Sequence, residues 1–542
     1  MDAAPTPAIT AAEALVAAFA AAGTKRVYGV PGGGSSLDLI AAAKARGLGF
    51  VLSRHETSAV IMAATEAELS GAPGFALCTR GPGVGNAANG VAHAALDRAP
   101  VVLVADGFAA AERAFATHQY FDQAAMLGPV TKAQLSVGQM AAGEAAAQAI
   151  AAAMAAPRGA ALIELSGSAA RQPALPPSVL ALGGPQAPDA AAIAAARRVL
   201  AGAKRPVIIA GLEAVEAAGP LRALAAALGC PVLVTYKAKG VVADSDPHFA
   251  GVFTCGAAEG PVLDRADAAV MVGADPVEFI AKPWRWPVPV IEVATAPRAL
   301  PYAAPAAAVS GALAPALDAL AAGATRSAWM PAEIAALREA WLAALANDPR
   351  RGRGIGPQRV VEITQQACRA SGFDPRVAVD AGAHMFPATT FWQCGRPGDL
   401  LISNGLATMG FALPAGIAAA LHDPRRGALA FTGDGGLLMG LGELATAATL
   451  GVRLVVVAFN DASLSLIDIK KEARDLPDGA LGWPRADLAG AMRAMGGLGL
   501  AARTEAELAE AVAAACAATG PVLVDVAVDP SGYPAQIRAL RG

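Results

Sequence analysis

Charge is scarce in this sequence: 16% of its 542 residues are Asp, Glu, Lys or Arg, against roughly 25% in an average globular domain. Aromatic residues make up 5%, and six histidines are dispersed without zinc-ligand spacing. The net charge of −3 comes with no basic stripe, so nucleic acid is not an expected partner. Six cysteines (Cys78, Cys230, Cys255, Cys368, Cys394 and Cys516) form no CxxC pair and no regular framework. That argues against a disulfide-stapled scaffold and for small buried side chains in a reducing cytoplasm. Long apolar runs are missing as well. Mean hydropathy is +0.45, yet no run of 18 or more apolar residues is free of charge or breakers, and the stretch 452–459 is only strand-length. The N-terminal MDAAPTPAITAAEAL is acidic and lacks the Leu-rich centre of a secretory leader. The excess apolarity is alanine. Together these absences predict a soluble, cytoplasmic protein with no membrane partner.

What is present is an alternation of short Val/Ile/Leu runs with long Ala-rich helical stretches. Strand-like runs fall at 26–30, 49–53, 74–79, 100–105 and 159–165, then at 206–210, 231–235, 268–272 and 288–293. A third group lies at 376–380, 399–403, 427–432, 452–459 and 521–527. Two Pro/Gly-rich stretches, 172–188 and 347–357, separate the groups as linkers. Apolar strands joined by helical crossovers predict parallel sheets buried on both faces. The expected fold class is α/β, with three doubly wound parallel-sheet domains in series. Ligands of such sheets bind at the carboxyl ends of strands, which directs the search to the residues after each run.

After the strand at 427–432 come Gly433, Asp434, Gly435 and Gly436, then the helical stretch LLMGLGELATAATLG. Glycines let backbone N–H groups approach a ligand, and a helix N-terminus favours phosphate. A carboxylate there would repel phosphate unless a divalent cation sat between them. Asp461, after the next strand in Asn460-Asp461-Ala462-Ser463, supplies a second carboxylate at crossover spacing. A helix cap at Asp434 and Asx turns at Asn460 and Asp461 are the plainer alternative.

The strand at 49–53 ends in Arg54-His55-Glu56 before an Ala-rich helix. Glu56 is thus a candidate for a partly buried carboxylate in a proton-sharing role, or a surface glutamate complementing the helix dipole. Pro31-Gly32-Gly33 and GPGVGN (81–86) also follow strands. The latter is not GxGxxG and no acidic residue closes a dinucleotide unit after it, so a nicotinamide or flavin nucleotide fingerprint is lacking.

Taken together these residues resemble the thiamine-diphosphate (ThDP) enzymes of the acetolactate synthase and pyruvate decarboxylase type. Gly433-Asp434-Gly435 through Asn460-Asp461 resembles the family's GDG-then-Asn motif, and Glu56 its activating glutamate. The segment 405–414 resembles GLGTMGFALPA. The likeness is closest to the FAD-independent catabolic acetolactate synthases, through His118-Gln119, Asp122, Met126, Pro129-Val130-Thr131-Lys132 and Pro276-Val277-Glu278-Phe279 with Trp284. The Arg that the FAD-bearing branch carries near Phe279 is absent, so FAD is not expected.

The resemblance implies a pyrimidine-binding domain at 1–180, a middle domain at 186–346 and a pyrophosphate-binding domain at 357–542. It implies thiamine diphosphate and Mg²⁺ as cofactors, with Asp434, Asp461 and the Ser463 carbonyl holding the metal. Glu56, Pro31, Gly32, Gly33, Asn86, Ala407, Met409, Gly433, Asp434, Gly435, Gly436, Asp461 and Ser463 would bind the cofactor. Glu56 would hydrogen-bond its aminopyrimidine ring and Met409 would prop its two rings. His118 and Gln119, otherwise a loop cap and a surface amide, would steer the fate of the substrate.

The implied reaction is decarboxylation of a pyruvate-like 2-oxo acid with carboligation to a second carbonyl. Alternatives are another ThDP activity (2-oxo acid decarboxylase, aldehyde lyase or 2-hydroxyacyl-CoA lyase) and a non-catalytic nucleotide-binding scaffold. A homodimer or homotetramer with active sites between subunits is also implied. The chain departs from the family pattern at Asp461 (usually Asn), Ala407 (usually Gly) and Arg80 (usually Ser). The charged residues Lys470, Lys471 and Glu472 are expected on a solvated helix.

Overall fold

The computed structural model describes residues 9–177, 183–298, 302–346, 354–477, 479 and 481–542. Residues 178–182 of the first expected linker and 347–353 of the second lie outside them. Three six-stranded parallel sheets follow one another along the chain. Their central strands form because their residues are apolar on both faces: every residue of Gly74–Cys78, Val101–Gly107 and Leu454–Asn460 is buried. Each fully buried Val, Leu or Ile contributes about 1.5–3 kcal/mol. A two-stranded antiparallel pair, Ile9–Thr10 with Pro173–Ala174, is the exception to the parallel rule.

The first sheet runs in the order Gly49–Leu52, Arg26–Val30, Gly74–Cys78, Val101–Gly107, Ala160–Ser166, Gln134–Ser136. The third runs Leu400–Ile402, Arg376–Val379, Ala428–Gly433, Leu454–Asn460, Val522–Ala527, Leu498–Ala502. Numbered within each sheet, both read 2-1-3-4-6-5, so the two share one topology. The middle sheet reads 3-2-1-4-5-6, from Phe249–Val252 through Val232–Val234, Pro206–Ala210, Ala268–Val272 and Val290–Ala294 to Ala307–Ser310.

Within the three six-stranded sheets, four strands were not expected: Gln134–Ser136, Phe249–Val252, Ala307–Ser310 and Leu498–Ala502. All four are sheet edges. An edge strand has a neighbour on one side only, so it is not compelled to carry an unbroken apolar run. The helical stretch after Gly433 also differs from expectation. It breaks at Gly440–Gly442 into Asp434–Met439 and Glu443–Leu450.

The backbone packs into two units. One comprises the described residues of Met1–Gly183 with Gly405–Arg425 and Gly440–Val452, and so holds the first sheet. Helix Glu56–Ser70 is central to it, buried on most of its circumference and stopped by Gly71 at φ 73°. The other unit comprises the described residues of Gly184–Asn404, Arg426–Met439 and Arg453–Gly542, and holds the middle and third sheets. All six cysteines are free and buried. Cys368 and Cys516, 148 residues apart, bring their sulfurs to 3.7 Å, a proximity their spacing did not disclose. No helix among the described residues is long and apolar enough to cross a membrane.

Candidate active site

In the second unit, the strand order of the third sheet reverses between Arg376–Val379 and Ala428–Gly433, the point where α/β sheets open a ligand crevice. Asp434 is the first residue of the short helix that follows, and it is 2% exposed. Its Oδ1 accepts the N–H of Gly435 at 2.9 Å and its Oδ2 that of Ala462 at 2.8 Å. Asp461 accepts from Ser463 N–H, the Asx turn of the plainer reading, and from Ser465 Oγ at 2.6 Å. Ala462, between Asp461 and Ser463, takes φ 61°, a left-handed turn from which its N–H reaches Asp434.

Burial and, second to it, the neighbouring Asp461 push the Asp434 carboxyl up to about 7. Burial pushes Asp461 up to about 6. Arg485 and backbone N–H groups offset this only in part. Among the described residues neither carboxylate is in an ion pair, and no group of three or more His, Cys, Asp or Glu could hold a metal. The two neighbouring carboxylates offer oxygen donors only. Such a set suits a hard divalent cation that completes its shell with phosphate and water.

Sequence reasoning missed His384, which follows Asp380 at the end of Arg376–Val379. Its ring stands against Gly433: a Cβ added there would come within 3.0 Å of His384 Nδ1. Burial lowers its pKa to about 3, so the ring is neutral, and its Nε2 is buried without a hydrogen-bond partner. The strand-end rule would have found it. Tyr533 is a second omission. Its buried phenol is raised by burial and then by Asp461 and Asp434, and only the tertiary fold brings it there.

In the first unit, Glu56 opens its helix and is 7% exposed. Asn86 Nδ2 donates to Glu56 Oε2 at 3.0 Å, while Thr57 Oγ1 donates to the Asn86 carbonyl at 2.6 Å. Gly83 faces Oε1, where a Cβ would stand 3.4 Å away. The sheet's own reversal lies between Arg26–Val30 and Gly74–Cys78. Pro31, Gly32 and Gly33 lie there, and a Cβ on Gly32 would collide with Thr79 Oγ1 and Asp106 Oδ2. Asp106, buried at the end of Val101–Gly107, accepts from Ser35 Oγ and Ser36 N–H and so fixes this loop.

The segment 405–411 belongs to the same unit. Asp97 Oδ1 accepts Gly405 N–H at 3.2 Å, and Asn89 Nδ2 donates to Thr408 Oγ1 at 2.8 Å. Ala407 is exposed at φ 54°, the left-handed region that favours glycine, so the chain keeps there the turn that a glycine would adopt. Met409 beside it is half-buried.

His118 and Gln119 are exposed. Gln119 takes φ 55°, and its carbonyl lies 2.7 Å from where a Cβ on Gly81 would stand. Gln123, not Gln119, holds that loop by accepting Gly81 N–H at 2.8 Å. A neighbouring cavity of about 270 Å³ is lined by Phe108, Tyr120, Gln123 and Glu164, without His118 or Gln119. Arg80 stacks its guanidinium 4.1 Å from the Phe108 ring. Lys470 and Glu472 are exposed on helix Ser465–Glu472, and Lys471 pairs with Asp468 at 2.8 Å.

Three family models match the chain: thiamine pyrophosphate enzyme N-terminal TPP binding domain at residues 9–126, central domain at 193–320, and C-terminal TPP binding domain at 380–526. Acetolactate synthase of Bacillus subtilis (strain 168) is 28% identical over 96% of this chain and 93% of its own length. Catabolic acetolactate synthase of Raoultella terrigena is 29% identical over 96% and 95%. A Pseudomonas aeruginosa protein named probable 2-ketoarginine decarboxylase is 30% identical over 85% and 84%. Domain models and relatives agree: the chain belongs to the thiamine pyrophosphate enzymes, as an acetolactate synthase-like, thiamine-diphosphate-dependent enzyme of carboligase or lyase type.

Proposed function

We propose that this enzyme decarboxylates a pyruvate-like 2-oxo acid and joins the remaining fragment to a second carbonyl, with Mg²⁺ anchoring the cofactor. The observation that carries the reading is the pair of buried Asp434 and half-buried Asp461, whose carboxyls are pushed up to about 7 and about 6 and whose ionised forms a bound cation would favour. Asp434, Asp461 and the Ser463 carbonyl would hold Mg²⁺, and Gly433, Gly435 and Gly436 would let the diphosphate approach the backbone. When bound, thiamine diphosphate supplies carbanion stabilisation.

The chain's own residues do the rest. Glu56, anchored through Oε2 by Asn86, holds a proton at Oε1 against the pyrimidine side. Ala407 offers its carbonyl from a left-handed turn, Met409 supports the cofactor rings, and Pro31–Gly33 line the pyrimidine side. His118 and Gln119, exposed on their loop, orient the second carbonyl. Carboligation is favoured by similarity to two acetolactate synthases over 96% of the chain.

A simple 2-oxo acid decarboxylase is the second reading, favoured by the relative named as a decarboxylase. We place the three domains at 1–180, 186–346 and 357–542, and the enzyme in the cytoplasm, where its six free thiols stay reduced. A homodimer or homotetramer completes the proposal. No flavin is included, because the Arg that the FAD-bearing branch carries near Phe279 is absent.

The test is product analysis with a panel of 2-oxo acids, ThDP and Mg²⁺. Acetolactate from pyruvate supports the carboligase, acetaldehyde supports the decarboxylase, and no ThDP-dependent product from any acid refutes both.

A further inference from the structure

Glu443 opens the helix that follows Gly440–Gly442 and is 1% exposed. Its Oε1 accepts two successive backbone N–H groups, from Arg54 at 2.9 Å and from His55 at 3.1 Å. These are the last two residues before Glu56. His55 caps the Glu56 helix in an extended conformation, φ −148° and ψ 141°, with its Nδ1 accepting Thr57 N–H. Gly442 permits the approach: a Cβ there would stand 3.1 Å from Arg54 Cβ. Oε2 of Glu443 is buried with no hydrogen-bond partner. Leaving a buried carboxylate oxygen unsatisfied is unfavourable, and filling the space alone would not call for a carboxylate; what a leucine could not supply is the acceptor for the two N–H groups. The residue therefore does something that packing does not require.

We propose that Glu443 is a positioning residue for Glu56. One carboxylate oxygen bonded to both N–H groups sets the direction in which the chain enters the helix. That direction determines where the Glu56 carboxyl points. Asn86 then fixes the carboxyl from its other end, so Glu56 is held at backbone and at side chain by two separate elements. A displacement of about 1 Å at a reacting group costs on the order of 100-fold in rate. Glu443 acts at that scale without touching cofactor or substrate. The proposal rests on the reading of Glu56 as the proton-holding group of the cofactor site.

The experiment compares Glu443→Ala and Glu443→Gln in the full-length holoenzyme. The readouts are Tm, ThDP affinity by tryptophan fluorescence, kcat and KM, and exchange of the cofactor's thiazolium C2 proton by quenched-flow NMR. In Glu443→Ala, exchange and kcat should fall by about 100-fold with KM and ThDP affinity unchanged. Glu443→Gln keeps an oxygen that can accept both N–H groups and should recover most of both rates. Wild-type exchange in Glu443→Ala overturns the proposal, as does a folded Gln variant as slow as the Ala variant. Should the Ala variant not fold, Glu443→Asp, which withdraws the carboxylate by one carbon, takes its place, and wild-type exchange there overturns the proposal equally. If the wild-type enzyme itself gives no faster exchange than free ThDP, the role of Glu56 fails instead, so the two failures are separable.

Discussion

Asp434 Oδ2 accepts the backbone N–H of Ala462 at 2.8 Å, so the first carboxylate of the pair fixes the loop that carries the second. Residues from two neighbouring strands of the third sheet thus form one unit. Changing Asp434 should alter both the ligand set and its geometry.

Asp434→Ala is therefore expected to abolish metal-dependent ThDP binding. Asp434→Asn keeps an oxygen for Ala462 but loses the charge, so it should retain the fold and bind only weakly. Calorimetric titration with ThDP, with Mg²⁺ and with a chelator, checks this. Equal binding by the Ala variant in Mg²⁺ would remove Asp434 from the site.

Glu56→Gln retains an oxygen partner for Asn86 Nδ2 but cannot hold the proton as a carboxyl does. General acid–base groups contribute about 10²–10⁴-fold. Turnover should fall by that order while ThDP still binds, as read by steady-state rates beside a binding titration. Wild-type-like turnover would be incompatible with the assigned role.

Ala407 sits at φ 54°, where an L-residue is disfavoured by about 1–2 kcal/mol. Ala407→Gly relieves that strain at the cost of a more flexible unfolded chain, about 0.4–1 kcal/mol. Tm should stay level or rise slightly and activity should persist. Ala407→Val, β-branched in the same turn, should lower both. Differential scanning calorimetry of the two variants tests the ordering.

Glu278 is buried in the middle domain and accepts from Thr235 Oγ1, Leu212 N–H and Asp275 N–H. Burial, the largest effect, raises its pKa from 4.5 to about 7. Its folded pKa lies above its unfolded one, so the folded state binds the proton more tightly. The stabilisation is complete below pH 4.5 and is lost as pH rises through about 7. The slope is at most ~1.4 kcal/mol per pH unit. Tm should drop more between pH 5 and pH 8 in the wild type than in Glu278→Gln, which has no proton to lose. Parallel pH profiles of Tm would count against it.

The central strands were legible because a buried parallel strand must be apolar on both faces, as in Leu454–Asn460. The edge strands Gln134–Ser136 and Leu498–Ala502 were not, because one-sided pairing relaxes that demand. Asp434, Asp461 and Glu56 were found from strand-end position and residue type. Asn86 was named, but its partner Glu56 Oε2 was not. His384 lay within reach of the same rule, whereas Tyr533 arrives from the far end of the chain. The break at Gly440–Gly442 was hidden because glycine and leucine alternate there without a proline or a polar cap.

Local sequence by itself determined the strand cores, the glycine-bearing turns after them and the acidic residues at their ends, since each depends on a few adjacent residues. Tertiary structure alone decided which carboxylate meets which partner. The Ala462 N–H on Asp434 and the Arg54 N–H on Glu443 join residues 28 and 389 positions apart. Hydrogen bonds across such separations follow from how the sheets twist and the helices pack. No short window of sequence contains that information.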